Sequence, residues 1–131
     1  LAAEAARLVA EVILRPEVDV LTFVPGDPER ALERGRVAPA ALADALSTAW
    51  AIPAGDLLRR TRSLERQRGL GLAERRRNVR GSVIAKCEVP RRVCVLDDVY
   101  TSGATADACA SALRRAGARH VEVVTLARAV R

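Results

Sequence analysis

A repeating exchange between helical and extended patterns predicts an α/β fold, with a mostly parallel sheet and helices on both faces. Three observations carry that expectation. Apolar residues recur at helical spacing in residues 1–14, 37–50 and 104–116, and short β-branched runs stand between them. Hydrophobic residues make up 50% of the chain but aromatic residues only 2%, so the core is built from Ala, Val and Leu, which suits a close-packed sheet under helices. The length of 131 residues fits one domain spanning residues 1–131. A chain of this size buries roughly two-thirds of its unfolded surface without staples.

The elements follow in order. Residues 1–14 place Leu1, Ala5, Leu8 and Val12 on one face, an amphipathic helix ended by Pro16. Residues 18–24 (VDVLTFV) read as a buried strand, broken by Pro25-Gly26-Asp27-Pro28, which opens a polar loop through Arg36. Residues 37–50 return to helical spacing, with Leu42, Leu46 and Trp50 on one stripe. Residues 56–58 suggest a short strand, residues 72–79 a short helix and residues 81–85 another strand. Residues 92–96 (RVCVL) form a clear buried strand, residues 104–116 a helix closed by Gly117, and residues 120–126 (HVEVVTL) a final strand.

Composition narrows the function. Phe23, Trp50 and Tyr100 are the only rings, too few to grip single-stranded nucleic acid by stacking. Cys87, Cys94 and Cys109 form no C-x-x-C pair, and His120 is the single histidine, so neither a structural zinc site nor a disulfide framework is expected. Cys94, in an apolar run, reads as a small core residue. Free thiols point to the cytoplasm. No apolar run approaches the roughly 18–20 residues of a membrane span, and the first residues are not a signal peptide, so no membrane partner is expected. The sequence starts at Leu1, which leaves room for a preceding portion. Net charge is +6, almost all from arginine, since Lys86 is the only lysine. Arginine's planar fork suits phosphate and carboxylate, although genome composition accounts for such a bias equally well.

The chemistry concentrates in residues 93–105, VCVLDDVYTSGAT, followed at once by a helix. Apolar residues form a strand expected to end at Asp97-Asp98, and ligands of open α/β sheets sit at the carboxyl ends of strands. Carboxylates there can accept hydrogen bonds from sugar hydroxyls or hold magnesium through water. Thr101, Ser102, Gly103, Ala104 and Thr105 form a small hydroxylated turn whose backbone N–H groups, with the helix N-terminus behind them, suit a phosphate. Taken alone, an Asp-Asp pair is a solvated loop start and the threonines are helix caps. In this order, the pieces describe a ribose-phosphate site. His120, at a strand start on the opposite end of the sheet, reads as a surface residue.

This segment resembles the phosphoribosyl pyrophosphate motif of type I phosphoribosyltransferases, and the wording Asp97-Asp98-Val99-Tyr100-Thr101 is most similar to the ComF branch. Thr61-Arg62, Gln67, Gly69-Leu70 and the run from Glu74 to Val79 resemble that branch's flexible segment, while Arg30 and Arg34-Gly35 resemble its pyrophosphate-side loop. The resemblance covers roughly residues 18–128. It implies the type I phosphoribosyltransferase fold and a magnesium-dependent reaction in which a nitrogen nucleophile displaces pyrophosphate from phosphoribosyl pyrophosphate. Asp97 and Asp98 would take the ribose hydroxyls and residues 101–105 the 5′-phosphate. Arg30, Arg34, Gly35 and Arg62 would lie on the pyrophosphate side, and magnesium would arrive with substrate rather than on direct protein ligands. The sequence departs from the branch at Arg36-Val37-Ala38, where an aromatic residue, Asn and Gln are usual, and at Pro25-Gly26-Asp27-Pro28. Thr101 stands where relatives acting on 6-oxopurines often carry an acid, which argues against that substrate class. The branch's N-terminal zinc ribbon has no counterpart here.

Two functions remain open on the sequence. One is a phosphoribosyltransferase; the other is a non-catalytic accessory factor of competence and DNA uptake that keeps the ribose-phosphate pocket. The altered residues 26–37 favour the second. A dinucleotide-binding oxidoreductase is disfavoured because no G-x-G-x-x-G follows a strand. The arginines between Arg59 and Arg80 admit three readings: a solvated face, a hood over pyrophosphate, or a contact with DNA backbone or DNA-uptake proteins. Proteins of this fold often pair, so a homodimer is a further open expectation.

Overall fold

The computed structural model describes residues 1–26, 38–61, 83–100 and 103–128, with backbone alone at 98–100, 127 and 128. The described elements run α1 (Ala2–Val12), β1 (Val20–Phe23), α2 (Pro39–Trp50), β2 (Leu58–Arg60), β3 (Val83–Ala85), β4 (Arg92–Tyr100), α3 (Ala104–Arg115) and β5 (His120–Arg128). β4 is central in a parallel sheet of order β1-β4-β5. An isolated bridge between Leu21 and Ala54 adds a short parallel edge beyond β1. β2 and β3 pair with each other, antiparallel, in a separate small sheet. The strand expected at residues 56–58 begins two positions later, at Leu58.

The sheet divides the core into two layers because strand side chains alternate between faces. Leu21, Cys94 and Leu96 pack with α1 and α2, against Leu42, Leu46 and Trp50. Val93 and Val95 pack on the other face, against Ala108, Cys109, Ala112 and Leu113 of α3, with Leu58 and Val83 of the small sheet. Helices therefore cover both faces, as the sequence predicts. Each fully buried Leu here contributes about 1.5–3 kcal/mol of transfer free energy. The stripe predicted in α2 is the buried one, and Pro39 sits in its first turn, where the missing N–H costs nothing.

The face predicted for α1 is corrected. Ala6 and Val9 are its buried residues, whereas Leu8 and Val12 are 54% and 82% exposed. α1 packs mainly on α2. Small side chains allow two helix axes to approach closely, so the core takes the alanines and leaves the larger residues outside. Among the described residues, no helix is long and apolar enough to cross a membrane.

α3 ends as Gly117 predicts. The Ala118 N–H donates to the Leu113 carbonyl at 2.9 Å and the Gly117 N–H to the Arg114 carbonyl at 3.2 Å, the paired bonds of a Schellman motif. Gly117 has φ +120°, and a Cβ there would stand 3.2 Å from the Val89 carbonyl oxygen. Gly117→Ala is expected to cost about 1–3 kcal/mol through backbone strain and this contact. Gly26→Ala, where a Cβ meets nothing within 4 Å, is expected to be near neutral. Thermal melts followed by circular dichroism check both.

Candidate functional site at the carboxyl end of the central strand

β1 and β4 part company at Leu96. Phe23 is the last β1 residue in register, opposite Leu96, and the final backbone bond runs from the Val24 N–H to the Leu96 carbonyl at 3.0 Å. Beyond that point β4 continues and, among the described residues, is paired with β5: Asp97 with Thr125, Val99 with Ala127, Tyr100 with Arg128. The acid pair was expected at the strand's end; it lies inside the strand, with residues through Tyr100 still in register. Backbone pairing with an equally long β5 outweighs the weak strand propensity of aspartate. Among the described residues, β4 thus runs further than β1 toward the carboxyl edge of the sheet.

Asp97 shares the face of Val93 and Val95, toward α3, and is half-buried. Asp98 follows it in β4. Gly103 caps α3 in the left-handed conformation, φ 79° and ψ −6°, a shape that glycine adopts without Cβ strain. Its carbonyl accepts the Asp107 N–H at 2.8 Å. Ala104 and Thr105, both half-buried, begin the helix. The first N–H groups of a helix point outward along its axis, and the macrodipole adds partial positive charge there. The structure thus brings Asp97, Asp98, Gly103, Ala104 and Thr105 to one strand-to-helix junction. Thr101, Ser102, Arg30, Arg34, Gly35 and Arg62 lie outside the described residues. His120 opens β5 opposite Arg92, at the other end of the sheet, and is bonded to Glu122 at 3.0 Å.

Sequence reasoning left Arg60 in the general arginine cluster. In β2, Leu58 is buried, Arg59 exposed and Arg60 half-buried, so Arg60 shares the core-facing side. Its Nε donates to the Pro25 carbonyl at 3.2 Å. The period of two from Leu58 was the signal that could have found it.

A buried thiol reports the local field. Burial pushes Cys109, on α3, up to about 12; the Arg60 guanidinium pulls it down and the Asp97 carboxylate pushes it up. Both charges therefore lie within electrostatic reach of one thiol beneath the junction. Cys94, expected as a core residue, is fully buried, and burial followed by Glu122 pushes it up to about 12.

Comparison with known proteins supports the same reading. No protein-family model matches the chain. Competence protein F of Haemophilus influenzae is 36% identical over 78 residues, which cover 56% of this chain and 34% of that protein. This chain therefore spans about a third of its relative's length. Among solved structures, the allosteric regulatory enzyme of purine biosynthesis superposes with a TM-score of 0.63 and 26% identity, over 95% of this chain and 25% of that one. Glutamine phosphoribosylpyrophosphate amidotransferase from B. subtilis, complexed with ADP and GMP, gives 0.62 and 26%, over 95% of this chain and 26% of that one. Purine phosphoribosyltransferase from Pyrococcus horikoshii gives 0.58 and 18%, over 97% of this chain and 72% of that one. The chain has the type I phosphoribosyltransferase fold, and its resemblance to the ComF branch is borne out by the match to Competence protein F.

Because the folded thiols ionise only near pH 12, both stay neutral at pH 8. Alkylation at that pH is expected to modify the exposed Cys87 first and to reach Cys94 and Cys109 only on unfolding. The raised values also fix a sign: this contribution to stability is whole below the unfolded thiol value of 9.0 and is lost as pH climbs toward 12. Mass spectrometry of the alkylated protein, with and without denaturant, is the check.

Proposed function

We propose that this chain binds phosphoribosyl pyrophosphate with magnesium and transfers the phosphoribosyl group to a nitrogen nucleophile. The observation that carries the reading is the junction of β4 and α3. A half-buried Asp97 stands toward the carboxyl end of the central strand of a parallel sheet, shortly before a helix N-terminus capped by left-handed Gly103. Asp97 and Asp98 accept hydrogen bonds from the ribose hydroxyls. Thr101, Ser102, Gly103, Ala104 and Thr105 take the 5′-phosphate on backbone N–H groups and hydroxyls. Arg30, Arg34, Gly35 and Arg62 serve the pyrophosphate side. With both hydroxyls and the phosphate held, the anomeric carbon is fixed for attack, and holding reactants in place is a large part of such catalysis.

The donor set suits magnesium. Carboxylate, phosphate and ribose oxygens are hard ligands, and magnesium is usually held by one or two carboxylates together with substrate phosphates and water. In this reading substrate oxygens and water complete the coordination. Bound there, the ion would neutralise charge on the departing pyrophosphate. Three free cysteines suit a reducing cytoplasm.

The likeness to Competence protein F favours a second reading, in which the pocket is kept for binding and the chain works through partners in DNA uptake. Turnover separates the two. A transferase releases pyrophosphate when supplied with a suitable amine or base, whereas an accessory factor binds phosphoribosyl pyrophosphate and releases none.

Calorimetric titration with phosphoribosyl pyrophosphate is expected to show binding that depends on magnesium. In the doubly substituted Asp97→Asn, Asp98→Asn protein, affinity is expected to fall by at least about a hundredfold, since each carboxylate hydrogen bond to a ligand contributes about 1.5–3 kcal/mol. Unchanged affinity in a folded double variant would remove the site from this junction.

A further inference from the structure

Exposed apolar surface among the described residues gathers on one element. The large hydrophobic residues left exposed are Leu1, Leu8, Val12, Leu14 and Val123, and four of these five lie in α1 or within two residues of its ends. Burial of Ala6 and Val9 does not cover them: Leu1 is 73% exposed, Leu8 54% and Val12 82%. At about 100° per residue, positions 1, 5, 8 and 12 fall within one arc of about 60°. Glu4, Arg7 and Glu11 border that arc on one side, and the buried Ala6 and Val9 border it on the other. Single apolar side chains on a surface are ordinary, but a continuous stripe of them marks a contact.

The stripe is its own complement. Laid antiparallel against a second α1, the spacing 1, 5, 8, 12 reproduces itself. Leu1 then stands opposite Val12 of the second copy, and Ala5 opposite Leu8. The second pairing sets a small side chain against a large one, as ridges fit into grooves. A patch that meets itself in this way is what a two-fold axis between identical chains requires.

Charge favours a second copy as the occupant. The chain carries +6 overall, which makes like molecules repel. α1 departs from that balance, with two acids, Glu4 and Glu11, against one base, Arg7, a net −1. Reversal brings the two charged borders side by side, four carboxylates with two guanidiniums, and Arg7 already lies 2.9 Å from Glu11 of its own helix. A lipid surface fits less well, because helices that lie on membranes carry Lys and Arg on their polar face. α1 packs on the face of the sheet opposite α3, so pairing through it takes place away from the β4–α3 junction.

We propose that the exposed stripe of α1 docks a second copy of this chain, joining two molecules in an antiparallel α1–α1 pair about a two-fold axis. The pairing is independent of the phosphoribose reading, and either can fail without the other. Three helical turns form a small interface, below about 1,200 Å² in total, the range of weak and transient association.

Sedimentation velocity of the chain, from micromolar to near-millimolar concentration, reads the pairing directly. A reversible equilibrium of monomer and dimer is expected. Leu8→Glu is expected to weaken it by at least about tenfold, since a symmetric interface takes the buried charge twice. Val12→Glu, at a more exposed position, is expected to act in the same direction with an unchanged thermal melt. The register has its own readout. Leu1→Lys and Val12→Glu are each expected to pair weakly alone and more tightly when mixed, because the mixed pair sets one lysine against one glutamate. A parent that stays monomeric throughout, a dimer that neither glutamate weakens, or a mixture no tighter than its components would overturn the proposal. So would co-sedimentation of the parent with phosphatidylglycerol vesicles that Leu8→Glu abolishes, which would give the stripe to a lipid surface.

Discussion

The site depends on a mismatch of length between neighbouring strands. β1 stops in register at Leu96 while β4 and β5 run on together to Tyr100 and Arg128. Were β4 as short as β1, Asp97 and Asp98 would belong to an irregular loop with no fixed orientation. Pairing with β5 keeps the backbone at Asp97 within an ordered strand. Pro25 follows Val24, whose N–H makes the last of the described β1–β4 backbone bonds.

Charge is arranged around that strand end from separate parts of the chain. Asp97 comes from the central strand, Arg60 from the small sheet, and partial positive charge from the first turn of α3. The neutral Cys109 thiol fills space among them. Its burial keeps it un-ionised, so it separates opposite charges without adding one of its own. Under the proposed function, this arrangement would meet a ligand with hydroxyls at its centre and negative charge at its ends. That pattern, more than the presence of two acids, is what points to a ribose bearing phosphates.

Much of this was legible in the sequence because the relevant signals are local. The apolar run Val93–Leu96, the stripe of Leu42, Leu46 and Trp50, and the terminating Gly117 each follow from backbone or burial rules that act within a few residues. What sequence reasoning missed comes from contacts between distant segments. The buried face of α1 was assigned to the larger side chains, yet the close approach of α2 selects Ala6 and Val9. The strand was ended at Asp97 because aspartate is a poor strand former, yet β5 supplies partners for its backbone. Arg60 was lost among its neighbours because composition hides alternation. Only pairing with β3 and the bond to Pro25 reveal it.

The central claim is that a ribose 5-phosphate sits at the β4–α3 junction, and backbone amide NMR tests it most directly. Titration of the labelled protein with ribose 5-phosphate and magnesium should shift the amides of Gly103, Ala104 and Thr105, together with those of Asp97 and Asp98, and leave His120 and its neighbours at the opposite end unmoved. Saturable shifts centred elsewhere, or none at the start of α3, would contradict the account.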